Sequence, residues 1–346
     1  DNGVEIGEVA VSGIENNTLS QNSMFNNGNE GILITNGAQN GILPPAISSV
    51  TPTELSGTGS NDGDIIEVFN NNTSATPQGE LFLGQTTVSS GIWSLSGSFP
   101  ASKNFTATAT DASGNTSEFA SAVGFDPPGN ALAFDGVDDY VIVPNSPSIN
   151  FGDVDFSVEF WISTTVSSDG RIITKHECAV GPGWFVTNTM TGIVNFYVNG
   201  STLSSTSIVN DGQWHHVAVT FQGSSNTQTI YIDGAFDTSK IGNNGVANTE
   251  PLGIGAWANA LCGPGTEPID AEIDEVRIWN TKRSIAEIQT NMYNELVGNE
   301  AGLAAYYQFN EGIAGVINTG INVLPDLSSN GNDGTLTNFD LGVADV

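Results

Sequence analysis

The sequence predicts an all-β protein with several domains and one short helix. Its apolar residues fall in short β-branched or aromatic runs that Gly, Asn, Asp and Ser interrupt, which is typical of strands joined by turns. The 41 glycines among 346 residues add to the number of expected turns. Double prolines ending at Pro45 and Pro128 mark linkers, so we expect three domains, at residues 1–45, 46–126 and 127–346.

The charge balance excludes several classes of function. Lys and Arg together number 7 against 38 Asp and Glu, which gives a formal net charge of −31. Proteins that bind nucleic acids or anionic membranes do so through basic patches, so neither is an expected partner. No apolar run reaches the roughly 20 residues of a membrane helix, so we expect no membrane insertion. The chain opens without a signal peptide, and we interpret it as part of a longer protein.

The first predicted domain is rich in Asn and Gly, which separate isolated apolar residues at Ile14, Leu19, Phe25 and Ile32. This spacing fits coils of a parallel β-helix, in which each short strand stacks on the next coil. The stretch resembles the last turns of right-handed β-helix repeats. Because one coil cannot bury its apolar face alone, we expect more coils before residue 1. The alternative is an Asn-rich leader without a fold of its own.

The second predicted domain alternates short strands with turns, and "FTATATD" has the period of two of a strand with one buried face. The segment "TATDASGNTSEF" resembles the bacterial Ig-like modules of surface proteins. We therefore expect an antiparallel sandwich that serves as a spacer. In such modules an aspartate like Asp111 sometimes holds calcium, and the alternative is an Asx turn at the same residue.

The third predicted domain contains around nine short strands and is long enough to hold a large core. Asn199 with Gly200, and Asp233 with Gly234, stand between apolar runs and predict two hairpins. Antiparallel strands in this number imply two packed sheets, a jelly roll.

One segment of this domain has helical rather than strand periodicity. Ser284 and Glu287 form a capping box at its start. Apolar residues follow at helical spacing, at Ile285, Ile288, Met292 and Leu296. We expect a short amphipathic helix that docks on the sandwich through this stripe.

Several motifs of the third domain occur in a set order. They are "FDGVDDYV", "DGQWHHVAVTF", "IYIDG", "IDEVRIWN" followed by "SIAEIQ", and "SSNGNDGTL". Together they resemble the laminin-G-like, pentraxin-related family of the concanavalin A-like lectin superfamily, over about residues 131–346. The resemblance implies a two-sheet jelly roll that often binds glycans or proteins and often holds structural calcium. Such domains are frequently attached to secreted enzymes and adhesins of bacteria, so we expect an extracellular or cell-surface location.

The adjacent histidines His215 and His216 raise the question of a metal or acid–base site. On a strand, neighbouring side chains point to opposite faces of the sheet, so these two cannot chelate one ion together. The third histidine, His176, belongs to another predicted strand. We therefore expect all three to serve packing and hydrogen bonding.

Calcium is the expected cofactor, because carboxylates and backbone carbonyls are its preferred ligands. Asp135, Asp138 and Asp139 lie within five residues of one another, with Gly136 permitting a tight turn. The first and last strands of a jelly roll can be neighbours, so Asp274 is predicted to share the ion. A second candidate loop offers Asp326, Asn330, Asn332 and Asp333. The alternative for each aspartate is an Asx turn or a solvated charge.

A glycan site is the expected binding function, since sugars stack on aromatic rings and bond to polar side chains. Trp184 and Trp257 stand in Gly-rich surroundings, and Tyr197 and Glu267 are further candidate ligands. The alternative places both tryptophans in the core.

Each of these tryptophans is close in sequence to one of the two cysteines, Cys178 and Cys262. A disulfide between them would bring the two loops together, and two buried free thiols are the alternative.

Catalytic motifs are missing from the sequence. The related glucanases carry E-x-D-x-E on one strand, which "DVDFSVEF" does not reproduce. No Ser-His-Asp elbow, Cys-x-x-Cys or phosphate loop is present either. We expect a non-catalytic adhesion module of a bacterial secreted or surface protein that binds a polysaccharide or surface glycan. The alternatives are the accessory C-terminal region of a polysaccharide-degrading enzyme and a purely structural secreted domain.

Overall fold

The computed structural model describes most of the chain. The described residues are 3–7, 14–25, 27, 30–35, 37–51, 54–59, 61–71, 78–97, 99, 104–124, 129–166, 169–177, 181–312, 318 and 320–339. They belong to two compact units, Asp1–Asp126 and Pro127–Val346. Within these ranges no helix is long and apolar enough to cross a bilayer.

The described part of the first unit contains eight short strands. These are β1 (Val4–Ile6), β2 (Ile32–Ile34), β3 (Ala46–Val50), β4 (Glu54–Thr58), β5 (Ile65–Asn71), β6 (Leu81–Thr87), β7 (Ile92–Ser96) and β8 (Asn104–Thr110). Strands β1 and β2 pair in parallel, while β3-β4-β7 and β6-β5-β8 form two antiparallel sheets.

The two segments that the sequence separates at Pro45 lie within this one unit. Ser20 donates a hydrogen bond to Glu67 over 2.6 Å, and the Ile34 amide donates to Glu118 over 2.7 Å. The assignments of residues 1–45 to a β-helix and of 46–126 to an Ig-like module stay predictions. Asp111 accepts hydrogen bonds from the Ser113 and Asn115 amides, which is the Asx turn.

The second unit contains fifteen strands and one α-helix among its described residues. The strands are β9 (Leu132–Asp135), β10 (Tyr140–Val143), β11 (Phe156–Ser163), β12 (Gly170–His176), β13 (Gly183–Asn188), β14 (Ile193–Val198), β15 (Ser201–Ile208), β16 (Trp214–Gln222), β17 (Thr227–Ile232), β18 (Ala235–Ile241), β19 (Leu252–Ile254), β20 (Asp270–Trp279), β21 (Leu303–Tyr307), β22 (Val323–Leu324) and β23 (Gly334–Thr337). The helix is α1 (Ile285–Asn291).

These strands form two sheets. One has eight strands in the order β15-β14-β13-β12-β19-β10-β23-β22, and the other has seven, β18-β17-β16-β11-β20-β21 with β9 paired to β20. This arrangement confirms the predicted fold class, an all-β sandwich with one short helix.

The core lies between the inner faces of the two sheets. Alternate residues of β11, such as Val158 and Phe160, point inward and are fully buried, as are Val186 and Phe196 from the opposite sheet. Burying each such side chain contributes about 1.5–3 kcal/mol. The period of two along each strand therefore leaves a second, outer face on both sheets.

Local signals in the sequence predict the turns and the helix correctly. Asn199 and Asp233 have φ of 41° and 51°, and Gly200 follows with 90°, the positive values that tight hairpins need. At the helix start the Ser284 hydroxyl accepts the Glu287 amide, and the Glu287 carboxylate accepts the Ser284 amide in return. The helix covers the outer face of the seven-stranded sheet.

Candidate functional site

A groove of about 540 Å³ lies on the outer face of the eight-stranded sheet, over β12 to β15. Its floor is set by strand register, because Thr187 stands opposite Asn195 on the neighbouring strand. Thr202 lines it from β15, Phe185 stands beside it on β13, and Arg171 closes it from β12. The groove therefore combines hydroxyl and amide groups with an aromatic ring.

The ring beside the groove belongs to an ordered stack. Phe185 and Tyr197 are directly paired across β13 and β14, and their rings are parallel with centroids 4.3 Å apart. The Arg171 guanidinium lies 4.5 Å from the Phe185 centroid and 4.6 Å from that of Trp257. Cation–π contacts of this kind hold both partners in one orientation. His176 meets the Tyr197 ring edge-on at 5.0 Å.

An ion pair joins the groove to the loop before β20. The Arg171 Nε atom donates to Glu267 Oε2 over 2.5 Å, and the Arg171 backbone amide donates to the Glu267 carbonyl over 3.0 Å. Glu267 has φ of 53°, a left-handed conformation that is uncommon outside glycine. Strained residues of this kind persist where the surroundings fix them and concentrate at binding sites.

Residues 188 and 195 contribute amide side chains on different faces of this sheet, since Asn188 follows the inward-facing Trp184 and Val186 along β13. Asn188 is 2% exposed, and its Oδ1 atom has no hydrogen-bond partner among the described residues. Asn195 is half-buried and accepts the Ser204 hydroxyl over 2.6 Å.

The structure brings together three of the four residues predicted for a glycan site. Tyr197, Trp257 and Glu267 all contact the stack or the ion pair at the groove. Trp184 is the exception, because it is 2% exposed and packs in the core, with its ring 5.4 Å from Phe156. It offers no face to a sugar, and this corrects the sequence-based assignment.

Sequence reasoning missed most of the groove lining, including Arg171, Phe185 and Thr187. The alternation in "GWFVTN" was a usable signal, since residues next to an inward-facing tryptophan must point outward. The predicted disulfide between Cys178 and Cys262 falls partly outside the described residues, which do not include Cys178. Cys262 itself lies on the loop between Trp257 and Glu267.

The predicted calcium ligands are only partly assembled. Asp135, Asp138 and Asp139 place carboxylate oxygens within 4.8 Å of one another. Opposite them, Asp270 rather than Asp274 pairs with Asp135 across β9 and β20. Burial and the neighbouring Asp135 raise the pKa of Asp270. A cation would relieve this repulsion, so the residues present fit a calcium ion.

Asp274 does not join that group. It stands four residues beyond Asp270 on β20, about 13 Å along an extended strand. Its register partner is Trp161 on β11, and it is fully buried on the outer face of the seven-stranded sheet. The prediction that Asp274 shares an ion with Asp135 is therefore wrong.

The second candidate calcium loop is held by its own hydrogen bonds. Asp326 accepts the amides of Tyr306, Ser328 and Asn332 over 2.7–2.9 Å. The side-chain amides of Asn330 and Asn332 donate to the Ala304 carbonyl. The Asp326 oxygens thus serve to fix the loop against β21.

A cluster of buried charges lies on the outer face of the seven-stranded sheet. Arg277 forms an ion pair with Glu275 and donates to the Asn291 carbonyl at the end of α1. Burial and the charge of Glu275 raise the pKa of Asp274 to about 9, so this carboxyl is neutral at pH 7. Glu159 is also fully buried there, and burial raises its pKa. None of these carboxyl groups can reach a polymeric substrate in solution.

The two histidines point to opposite sides of β16. His216 is buried against Trp161, and burial keeps it neutral by lowering its pKa well below the usual value. His215 lies between Asp233 and Asp211, 3.0 Å from each. Burial alone would lower the pKa of His215, but the hydrogen bonds to both carboxylates outweigh it and raise the pKa to about 10.

His215 should therefore stabilise the fold as a cation. Its folded-state pKa lies above the unfolded value, so the stabilisation is complete below about pH 6.5 and is lost as the pH rises toward 10. We expect His215→Gln to lower the free energy of unfolding by about 1–3 kcal/mol at pH 6. Urea unfolding at several pH values checks this. A deficit that stays constant up to pH 10 would contradict it.

Part of the second unit matches a known family of proteins. Residues 135–289 match the concanavalin A-like lectin/glucanases superfamily. The matching family model is of the laminin-G type, so the predicted resemblance is confirmed over those residues. No curated protein matches the sequence significantly.

Several solved structures are similar to the chain. One is a candidate carbohydrate-binding protein from Bacteroides ovatus ATCC 8483, with 17% identity and a TM-score of 0.48 over 84% of this chain and 92% of the other. A second is the heptameric SAP-like pentraxin of Limulus polyphemus, with 17% identity and a TM-score of 0.33 over 45% of this chain and 82% of the pentraxin. A third is domains LG4-5 of the mouse laminin alpha1 chain, with 12% identity and a TM-score of 0.33 over 79% of this chain and 92% of the laminin chain.

Proposed function

We propose that residues 127–346 form a glycan-binding module that holds a sugar in the groove over β12 to β15. The observation that carries this proposal is the pairing of Phe185 with a floor of Thr187 and Asn195. Sugars have apolar C–H faces and many hydroxyls, so they need an aromatic surface beside donors and acceptors. The groove supplies the donors and acceptors within one concave surface of ordinary ligand-site volume, and Phe185, whose ring faces meet Tyr197 and Arg171, offers the edge of its ring as apolar contact.

The order of the groove supports binding as well. Tyr197 and Arg171 fix the Phe185 ring from two sides, and Glu267 fixes Arg171. Side chains that are already immobile lose little conformational entropy when a ligand arrives. A groove with preordered side chains therefore favours binding of a ligand.

The proposed module binds glycans without cleaving them. Glycoside hydrolysis needs two carboxyl groups that face each other across the scissile bond. Glu159, Asp274 and Glu275 are buried beneath the segment that includes α1, and Glu267 is held by Arg171. The carboxyl groups with raised pKa values on this sheet are therefore structural.

Replacing Phe185 with alanine is expected to weaken glycan binding by about tenfold, because a central aromatic contact typically contributes more than 1 kcal/mol. Thr187→Val, which keeps the side-chain shape but removes the hydroxyl, should also weaken binding. Titration with the best ligand from a glycan array measures both effects. Phe236→Ala is the matched control, since Phe236 is an exposed ring on β18 outside the groove. Equal losses in all three variants would contradict the proposal.

We further propose that Asp135, Asp138 and Asp139 hold a structural calcium ion beside Asp270. Calcium should raise the melting temperature of the full chain by several degrees, because it binds only the folded state. Asp138→Asn should reduce this rise, whereas Asp153→Asn, an exposed charge outside the cluster, should not. A melting temperature that is unaffected by calcium and by EDTA would contradict the site.

The cellular setting belongs to the same proposal. An acidic, turn-rich chain with a glycan groove suits a bacterial secreted or surface protein, with the first unit as a spacer.

A disulfide between Cys178 and Cys262 would fix the loop that carries Trp257 and Glu267, and peptide mapping without reduction tests it. Recovery of both cysteines as free thiols would contradict the bond.

A further inference from the structure

The charged groups of the groove favour one chemical class of glycan. Among the described residues that line it, Arg171 is the one cation, and Asp169 and Glu267 are carboxylates. The groove therefore carries a formal charge of −1, from one positive and two negative groups. Asp169 is exposed, and its Oδ1 atom accepts the Met190 amide over 2.9 Å, which holds the carboxylate at the rim.

The positive charge of Arg171 is already offset by neighbouring carboxylates. Its Nε and Nη2 atoms are both 2.5 Å from Glu267 Oε2. Its guanidinium lies over two rings, Phe185 and Trp257. Asp169 is a further negative charge close enough to act on the Arg171 guanidinium. A carboxylate or sulfate on a sugar would therefore meet a guanidinium whose charge Glu267 already balances.

The rest of the protein adds to this effect. A formal net charge of −31 produces a negative potential that repels anions before they reach the surface. Salt screens this long-range part beyond about 8 Å at physiological ionic strength, while Asp169 and Glu267 act at contact distance.

We propose that the groove selects uncharged glycans and rejects chains that carry uronate or sulfate groups. This inference rests on the proposed glycan-binding function and names the ligand class of the same groove. Neutral hexoses offer the hydroxyls that Thr187, Asn195 and Thr202 can bind, and they bring no charge against the rim.

The test compares matched ligands on the full chain. Each neutral oligosaccharide that binds on an array is paired with the same oligosaccharide oxidised at C6 to the uronate, and both are titrated in 20 mM and 500 mM NaCl. We expect the uronate to bind at least about fivefold more weakly in low salt. Two like charges 4 Å apart in water repel each other by about 1 kcal/mol, which corresponds to about fivefold in affinity. The difference should narrow in high salt.

A charge variant separates repulsion from a simple loss of shape. Asp169→Asn keeps an oxygen to accept the Met190 amide but removes the charge, so the ratio of uronate to neutral affinity should rise about threefold or more at low salt. Asp153→Asn removes one charge outside the groove and should leave that ratio unchanged. Tighter binding of the uronates, or equal ratios in both variants, would overturn the inference while the glycan-binding function stands. Absence of binding to every neutral and charged glycan would overturn both.

Discussion

Replacing Arg277 with methionine is expected to lower the free energy of unfolding by about 3–5 kcal/mol. Arg277 is fully buried and is the ion-pair partner of Glu275, which is also buried. Without the guanidinium, Glu275 must be desolvated alone or take up a proton. The Asn291 and Asn294 carbonyls at the end of α1 also lose their donor. Urea unfolding of the second unit measures the change.

Two further variants make this result specific. Lys282→Met removes a half-buried cation that reaches Gln222, and it should cost less than about 1 kcal/mol. Adding Glu275→Gln to Arg277→Met should recover part of the loss, because the unpaired buried charge is then gone. If Arg277→Met were no more harmful than Lys282→Met, the buried charges would not hold α1 to the sheet.

Replacing Trp184 with alanine is expected to cost about 3–5 kcal/mol of stability without changing glycan affinity per folded molecule. The ring packs against Phe151 and Phe156 between the sheets, so its removal leaves a cavity in the core. Trp257→Ala should lower glycan affinity as well as stability, because Trp257 is also buried but supports Arg171 at the groove. Denaturant unfolding together with glycan titration separates these effects. Loss of affinity in fully folded Trp184→Ala would return this residue to the site.

The tryptophans show how far the sequence could locate the groove. Along β13 an aromatic ring falls on each face, Trp184 on one and Phe185 on the other. The period of two separates the faces but does not say which is inside. Packing against Phe156 decides this, and that contact joins residues far apart in sequence. Arg171 was missed for the same reason, since its partner Glu267 is 96 residues away.

Register explains the wrong placement of Asp274, since Asp270 rather than Asp274 pairs with Asp135. A bulge farther along β20 then decides which residues share its outer face. On β11, Glu159 and Trp161 are two residues apart, but their partners on β20, Arg277 and Asp274, are three apart. The extra residue lies next to Glu275, whose φ is 52°. It changes the alternation, so Asp274 lies on the outer face with Arg277. No local signal in "IDEVRIWN" indicates this shift.

Features that depend on neighbours in sequence were predictable. The Asn-Gly and Asp-Gly turns and the Ser284 capping box need only a few adjacent residues, and all are present. The carboxyl group of Asp135 shows the limit of such signals. It accepts the Val137 amide as an Asx turn would, yet it also lies beside two other carboxylates. Asp135 can therefore serve a turn or an ion, and the local sequence does not distinguish the two roles.

Chemical-shift mapping of a bound glycan tests the central claim most directly. When the full chain is titrated with its best array ligand, we expect the largest amide shifts at residues 185–202, and at Arg171 and Glu267. Those residues line or support the groove on the eight-stranded sheet. Largest shifts at Asp135–Asp139, or in the first unit, would place the ligand elsewhere and contradict the account.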